Sequence, residues 1–374
     1  MQIKSLQLHP VVVPRQYGTV IAMEGGKPRR TVATSYFVFA EMTTDDGRTG
    51  WGELSDLGPE DQPTDLAAYA AMLAAFMSGR SPWEVQRMHA EFREHFDVAN
   101  SGLASAAECA LDMAMYDLAG QAAGRPVSDL LGGAVRREVT VSWVAYIRED
   151  LELIREEIRE KTADGFTAFK LKVGVDIELD ERRLAVARET AGPRASIKID
   201  ANEGWSVADA PKHIRRLNKY QLAGVETPVP REDVADIAAV RRAVDVPILE
   251  HVGSLEFALA LVKAEAVDVF NIATTASGGL WLARQIVGVA QGAGVGILLG
   301  STVELGPGTL AQLHLAATVP NLSLPSDLIG PGMYKDDVLV KPLQYRSGKL
   351  DVPTGPGLGG TVNREKLKSL APRK

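Results

Sequence analysis

From residue 139 onward, short runs of apolar residues alternate with longer segments in which apolar residues recur with a helical period. Short apolar runs bounded by polar turns are typical of buried parallel strands. Eight such strands joined by seven crossovers predict an α/β fold, a closed (β/α)8 TIM barrel, with an open doubly wound sheet as the alternative. The predicted strands are residues 139–147, 166–173, 196–202, 222–229, 247–252, 268–274, 296–300 and 322–328. Predicted helices between them include residues 152–163, 178–190, 234–243, 255–264 and 280–292.

The N-terminal part of the chain follows a different pattern, in which strands come first and helices follow. Alternating apolar residues predict a strand over 2–14, and an aspartate-glycine turn predicts a hairpin over 31–53. The polar, glycine-containing segment from Gly18 to Arg30 predicts a mobile loop. Apolar residues at helical spacing then predict helices over 64–78, 82–95 and 103–123. This order indicates an α+β domain.

The change of pattern divides the chain into two domains. A chain of 374 residues is too long for one small core. We expect an α+β domain over residues 1–130 and the barrel domain over 131–340. The tail, 340–374, is rich in proline and glycine, and we expect it to pack back on the N-terminal domain and complete it.

Polar side chains follow successive predicted strands of the barrel, at the point where each strand ends. The second strand ends with Lys170 and Lys172, and the third with Asp200 and Asn202. Glu226 ends the fourth strand, and Glu250 and His251 end the fifth. One strand-plus-helix unit separates each group from the next. Because the carboxyl ends of all barrel strands open at one mouth, where such barrels place their active sites, these side chains should converge there.

The two lysines predict a proton-transferring site. Residues i and i+2 of a strand point to the same face, so Lys170 and Lys172 lie side by side. Two neighbouring ammonium groups disfavour each other's charge, and we expect the pKa of at least one to fall toward neutrality, as a base requires. Buried carboxylates on neighbouring strands are stable when they bind a cation, and their oxygen atoms suit Mg²⁺, with Mn²⁺ as the alternative.

Composition narrows the classes of function. The hydrophobic fraction of 45% and the charged fraction of 24% are ordinary for a globular protein, and the net charge of −7 argues against nucleic acid as a partner. No apolar run approaches the ~20 residues that span a membrane, and the N-terminus lacks a signal-peptide pattern, so a cytoplasmic location is expected. The single cysteine, Cys109, lies in an apolar helical run and is interpreted as a core residue. Nucleotide-binding glycine motifs do not follow any predicted strand.

Several motifs resemble those of the enolase superfamily. They are KLK at 170–172, DAN at 200–202, ETP at 226–228 and the helix with its following turn at 105–133. The sequences VELGPGTLAQLHL and PSDLIGP resemble the muconate lactonizing enzyme branch of the mandelate racemase/muconate lactonizing enzyme family more than the mandelate racemase branch. The resemblance implies an N-terminal α+β capping domain on a modified (β/α)7β barrel. It also implies a homo-oligomer, either a dimer or an octamer.

The same resemblance implies a role for each residue at the mouth. Lys172 is the acid/base, and Lys170 neutralises the substrate carboxylate or tunes Lys172. Asp200 and Glu226 bind the metal, and Asn202 lies beside Asp200. Near the substrate the resemblance places Glu304 and a capping-domain loop around Tyr17 to Arg30, which closes over the substrate and sets specificity. Asn202, Ser301 and Tyr17 are further predicted substrate contacts, and Ser301, at the end of the seventh strand, is also a candidate to replace the lysine that the family carries on the sixth strand.

The chain departs from the family pattern on two strands. The third metal ligand is usually an aspartate, and His251 stands at its place; strand alternation favours His251 over the alternative ligand, Glu250. A neutral imidazole is also an adequate ligand for the metal. On the sixth strand, where the family carries lysines, this chain has Ala273 and Ala276.

These departures shape the predicted reaction. We expect a metal-dependent enzyme that removes the proton next to a small-molecule carboxylate and forms an enediolate that the metal stabilises. Only Lys172 is available as a base, which favours a lactonizing cycloisomerase, with syn elimination of water by an acid-sugar or hydroxy-acid dehydratase as the alternative. A metal-dependent aldolase or hydrolase on a (β/α)8 barrel and a non-catalytic binding relative are the competing hypotheses.

Overall fold

The computed structural model describes residues 1–30 and 33–372. The N-terminal part is an antiparallel sheet in the order β1-β4-β5, with helices packed against it. The long helix α3 is almost completely buried, starts after the capping side chain of Ser101 and ends at Gly124, which has a left-handed backbone. The elements are β1 (Ile3–Pro14), β2 (Val20–Met23), β3 (Lys27–Arg30), β4 (Thr34–Thr44), β5 (Thr49–Leu54), α1 (Leu66–Met77), α2 (Val85–His95), α3 (Gly102–Ala123) and α4 (Val127–Leu130).

The segment between β1 and β4 is a two-stranded hairpin, so the prediction of an irregular loop from Gly18 to Arg30 was wrong. Strands β2 and β3 pair antiparallel around a short 3-10 turn, Glu24–Gly26. Gly25 and Gly26 have φ values of 70° and 73°, a conformation that glycine adopts without strain. The predicted hairpin over 31–53 corresponds to β4 and β5, and its first two residues, 31 and 32, lie outside the described residues.

Seven parallel strands form the barrel sheet within the described residues, in the sequential order β7 to β13. Each strand lies within one of the predicted apolar runs. A parallel strand that is buried on both faces is apolar along its whole length and does not alternate with polar residues. The predicted strand over 139–147 is divided into β6 and β7, and β6 pairs instead with β14 of the tail. The strands are β6 (Glu138–Thr140), β7 (Trp143–Ala145), β8 (Ala168–Lys172), β9 (Ser196–Asp200), β10 (Leu222–Glu226), β11 (Ile248–His251), β12 (Val269–Ile272), β13 (Gly296–Leu299) and β14 (Lys349–Asp351).

Helices cover the outside of the sheet, as their amphipathic period predicted. Asp150, Asp176, Asp233 and Ser254 each precede a helix and accept a backbone N–H from its first turn. None of the helices in the described ranges is long and apolar enough to cross a membrane. The helices are α5 (Leu151–Ala163), α6 (Ile177–Ala191), α7 (Ala210–Asn218), α8 (Val234–Arg242), α9 (Leu255–Lys263), α10 (Thr274–Ser277), α11 (Leu280–Ala293), α12 (Gly306–Ala317), α13 (Gly330–Met333) and α14 (Arg364–Ser369).

The segment predicted as the eighth strand, 322–328, is not a regular strand but bonds to both edges of the sheet. On one edge, the N–H of Asp327 donates to the carbonyl of Leu299 at 2.8 Å. On the other, the N–H of Ser142 donates to the carbonyl of Ser326 at 2.8 Å. The sheet is therefore closed, and the predicted TIM-barrel class is confirmed.

The interior of the barrel is layered. Leu249, Val269 and Leu298 form a small apolar cluster from three neighbouring strands. Two residues further along β11 and β12, on the same faces, stand His251 and Asn271. The apolar layer thus supports a polar layer at the carboxyl ends of the strands, where the predicted site residues lie.

Candidate active site

Three predicted metal ligands meet at the mouth of the barrel. Asp200, Glu226 and His251 end the neighbouring strands β9, β10 and β11, and Asp200 is paired in register with Glu226. One potential ligand atom of each lies within 4.8 Å of the others. Both carboxylates are fully buried, whereas the His251 side chain is 31% exposed toward the mouth.

The donor set fits a divalent cation. Oxygen Oε1 of Glu226 accepts from Asn271 Nδ2 at 2.8 Å and lies 2.8 Å from His251 Nε2. Its other oxygen, Oε2, is buried with no hydrogen-bond partner among the described residues. An unpaired buried carboxylate oxygen is costly, and a cation would satisfy it. The two carboxylates are ligands suited to Mg²⁺ or Mn²⁺, whereas an imidazole is more typical of metals such as Zn²⁺ or Fe²⁺.

Glu250, the alternative third ligand, points away from this cluster. Its Oε1 accepts from the Thr227 hydroxyl at 2.9 Å and from the His251 N–H at 2.8 Å. Burial raises the pKa of Glu250 to about 7. Strand alternation therefore places His251 in the cluster, as the sequence indicated.

The two lysines meet at one oxygen atom. Lys170 Nζ lies 2.9 Å from Asp200 Oδ2, and Lys172 Nζ lies 2.7 Å from the same oxygen. Lys172 also donates to Asn202 Oδ1 at 3.0 Å, and the Asn202 N–H donates to Asp200 Oδ1 at 3.0 Å. Asn202 thus holds both the lysine and the carboxylate in place.

The pKa of Lys170 is not the one that falls toward neutrality. Burial alone lowers the pKa of Lys170, but Asp200, Asp327 and Glu226 outweigh it and hold this pKa well above its ordinary value. Two adjacent ammonium groups by themselves would lower the pKa, but three carboxylates from other strands and the closing segment surround Lys170.

The loop after β13 brings Ser301 and Glu304 together. The Ser301 hydroxyl donates to Glu304 Oε2, and the Thr302 N–H donates to Oε1 at 3.0 Å. Gln312 Nε2 adds a bond to the same Oε1 at 3.3 Å, and Glu304 is buried. Both predicted substrate-binding residues are thus held by neighbours on α12 and its leading loop.

The end of β12 carries no base. Ala273 is buried and Ala276 is exposed, and the residues between them are both threonines. The only other polar groups of α10 are hydroxyls. The described residues of α10 therefore contribute no proton-accepting side chain, although the Glu304 carboxylate from the next loop accepts from the Thr275 hydroxyl at 3.4 Å.

The described contacts of Tyr17 are with Glu157 and Arg148 rather than with the residues of the metal cluster. Its hydroxyl donates to Glu157 Oε1 at 3.3 Å, and the Arg148 guanidinium lies 4.7 Å from the ring centre. It lines a cavity of about 810 Å³ together with Trp143 and Tyr345. These contacts join the start of the chain to α5 rather than to the lysines.

The hairpin β2–β3 extends over the loops that follow β8 and β9. Ala22 is fully buried, and its side chain faces the backbone of Gly174 and Gly204. At both glycines a Cβ atom would come within 3.1 Å of the Ala22 methyl group. Small residues thus let the N-terminal domain approach the strand ends that carry Lys172 and Asp200.

Sequence reasoning missed three polar residues of this site: Lys198, Asn271 and Asp327. Lys198 and Asn271 lie on inward faces, at even spacing from residues that the pattern singled out, so strand alternation could have found them. Asp327 lies in the PSDLIGP motif and in the predicted strand over 322–328, but its contact with Lys170 depends on how that irregular segment closes the barrel.

Comparison with known proteins places this geometry in a family. Residues 153–366 match the description "Enolase C-terminal domain-like", and residues 18–132 match "Mandelate racemase / muconate lactonizing enzyme, N-terminal domain". Muconate cycloisomerase 1 of Rhodococcus opacus is 30% identical over 363 residues, which covers 94% of this chain and 96% of that protein.

Solved structures show the same similarity. The crystal structure of 2-chloromuconate cycloisomerase from Rhodococcus opacus has a TM-score of 0.88 and 26% identity, and the match covers all of both chains. A dipeptide epimerase from Enterococcus faecalis, complexed with Mg and the dipeptide L-Leu-L-Tyr, has a TM-score of 0.85 and 28% identity. That match covers 96% of this chain and 100% of the other.

Proposed function

This chain belongs to the mandelate racemase/muconate lactonizing enzyme family of the enolase superfamily, and we propose that it is a divalent-metal-dependent isomerase acting on a small carboxylate. The motif resemblance seen in the sequence is confirmed by these matches. The observation that carries the proposal is the position of Lys172, a partly exposed amine 2.7 Å from the Asp200 oxygen of the candidate metal cluster.

The metal would be held by Asp200, Glu226 and His251. When bound, Mg²⁺ or Mn²⁺ supplies positive charge beside a substrate carboxylate and stabilises the enediolate that forms when the α-proton leaves. The imidazole donates no negative charge, so the three protein ligands carry a charge of −2 rather than −3.

Lys172 and Lys170 have different roles in the proposed reaction. Lys172 takes the α-proton and returns it, and its bond to Asn202 directs its amine toward the mouth. Lys170 lies deeper, with its side chain only 4% exposed, and supplies a fixed positive charge for the substrate carboxylate. Neither function requires movement of the strand that carries both residues.

The absence of a base at Ala273 and Ala276 favours a one-base reaction. Racemisation by two opposed bases needs a proton acceptor on each face of the substrate, and β12 supplies none. Proton loss and return on one face suits a cycloisomerisation of the lactonizing type. The name of the muconate cycloisomerase relative supports this choice.

Syn elimination by a dehydratase is the second candidate, because it also uses a single base. A non-catalytic binding protein is the third, and the intact set Lys170, Lys172, Asp200 and Glu226 opposes it. We further propose a cytoplasmic homo-oligomer, a dimer or an octamer, with the capping domain over residues 1–130 completed by 340–374. Glu304, Ser301 and Tyr17 remain the proposed contacts to substrate.

Proton exchange tests the proposal directly. The protein is incubated in D₂O with Mg²⁺ and a panel of small mono- and dicarboxylic acids, and α-deuteration is followed by NMR. We expect at least one acid to exchange, and exchange to stop when EDTA removes the metal. Unchanged protons across the panel, with the metal bound, would instead support a binding protein.

A further inference from the structure

Asp327 lies inside the barrel beside Lys170, although 157 residues separate them. Its Oδ2 accepts from Lys170 Nζ at 3.1 Å, and the side chains of both residues are only 4% exposed. Asp327 is not part of the cluster of potential metal ligands. It is thus a carboxylate partner of Lys170 that stands apart from the metal site.

A second lysine lies beside the other oxygen of Asp327, which accepts no hydrogen bond from the described residues. Lys198 Nζ, on the inward face of β9, lies 2.8 Å from Asp327 Oδ1 and also donates to the carbonyl of Pro325 at 2.8 Å. The N–H of Asp327 donates to Leu299 on β13. The backbone N–H and Oδ2 of Asp327 are therefore hydrogen-bonded, and Oδ1 is paired with Lys198 by charge.

The other two carboxylate partners of Lys170 are also proposed ligands of the metal, so Lys170 and the metal compete for them. Lys170 Nζ lies 2.6 Å from Glu226 Oε1 and 2.9 Å from Asp200 Oδ2. Both carboxylates are proposed metal ligands, and a cation that bound their oxygens would repel the ammonium group and weaken its hold on them. When the metal is bound, Asp327 is the carboxylate that still pairs with Lys170.

We propose that Asp327 is a positioning residue that holds Lys170 away from the metal ligands when the metal binds. This inference rests on the proposed function. Without Asp327, the ammonium group of Lys170 would turn wholly to Asp200 and Glu226 and compete with the cation. Asp327 thereby supports metal binding and keeps Lys170 where it meets the substrate carboxylate.

A double substitution separates positioning from simple charge balance. Asp327→Asn alone leaves Lys170 and Lys198 less neutralised in a buried site and could unfold the barrel. Asp327→Asn combined with Lys198→Met removes one charge of each sign, so the net charge is unchanged. Lys170 is then the only buried group that has lost a charged partner. Asp327→Glu, which keeps the charge but displaces it by one methylene, is the second variant.

The measurements are Mn²⁺ binding by calorimetry, the melting temperature and steady-state kinetics. We expect each variant to fold and to bind Mn²⁺ about tenfold more weakly, as substitutions beside metal ligands commonly do. We also expect KM to rise more than kcat falls. If the folded double variant binds Mn²⁺ as the parent does, with KM unchanged, Asp327 only neutralises Lys198 and the inference is overturned.

The parent protein distinguishes this failure from that of the proposed function. If the parent binds no Mn²⁺ and exchanges no α-proton, the proposed function itself is wrong. If the parent does both and the variants match it, only the role of Asp327 is wrong.

Discussion

His251 Nε2 lies 2.8 Å from Glu226 Oε1, so a histidine and a carboxylate occupy adjacent positions in the proposed metal cluster. Glu250, its neighbour in sequence, bonds to Thr227 on the other side of the strand. His251 therefore faces the mouth, whereas Glu250 faces the outer layer. Substituting each residue in turn tests which of them binds the metal.

We expect His251→Ala to weaken Mg²⁺ or Mn²⁺ binding by at least about tenfold, because one of three protein ligands is lost. Calorimetric titration measures the affinity. Glu250→Gln is the control, since it keeps the shape of the side chain and should leave metal affinity nearly unchanged. Unaltered affinity in His251→Ala would remove this residue from the ligand set.

Lys172→Met should strongly reduce α-proton exchange but preserve metal binding. Loss of a general base reduces proton transfer by roughly 10²- to 10⁴-fold, and this is the expected fall in α-proton exchange. Mn²⁺ should bind at least as tightly as in the parent, because an ammonium group that shares Asp200 Oδ2 is gone. The exposed Lys212→Met serves as the control. Exchange that persisted in Lys172→Met would assign the base elsewhere.

Glu53 joins the two parts of the chain through the start of α12. The buried Glu53 accepts the backbone N–H groups of Leu305 and Gly308, each at 2.8 Å, and the helix has no capping side chain of its own within the described residues. Burial raises the pKa of Glu53 to about 8. Glu304 immediately precedes this helix start, so the cap also supports the loop at the mouth.

Glu53→Ala should therefore destabilise the protein by about 1–2 kcal/mol, the usual cost of losing a helix cap. Urea denaturation followed by circular dichroism measures this change. Ser55→Ala, which removes only a hydroxyl bond to Glu53, should have a smaller effect. Equal effects of the two substitutions would show that the helix start does not depend on the carboxylate.

His89 makes stability depend on pH. It is buried between Glu108, at 2.8 Å, and Asp112, at 2.9 Å. Burial opposes its charge, but bonds to Asp112 and Glu108 outweigh burial and raise the pKa of His89 to about 9. Because the folded pKa exceeds the unfolded value of 6.5, the stabilisation is fully present below pH 6.5 and is lost as pH rises through 9.

We expect the melting temperature of the parent to fall between pH 6.5 and 9, with a loss of up to about 3 kcal/mol in the free energy of unfolding. His89→Gln should be less stable at pH 6.5 and should show a flatter pH dependence over this range. Scanning calorimetry at several pH values gives both curves. Parallel curves for the parent and the variant would contradict the role of His89.

The sequence by itself determined the barrel elements and the inward residues on them. Because alternate residues of a strand face opposite sides, the spacing placed Lys170 beside Lys172 and, together with the family resemblance, favoured His251 over Glu250 at the mouth. The crossover length between strand ends then brought Asp200 and Glu226 to the same edge. These are local consequences of strand and helix geometry, and they need no knowledge of distant contacts.

Only the tertiary structure decided what surrounds those residues. Asp327 meets Lys170 across 157 residues, and Glu53 meets α12 across more than 250, and neither pairing leaves a periodic signal in the sequence. The pKa of Lys170 follows from such contacts, because nearby charges and burial set it rather than its neighbour in sequence. Periodicity fixes the direction of a side chain, whereas closure of the barrel and docking of the N-terminal sheet select its partners.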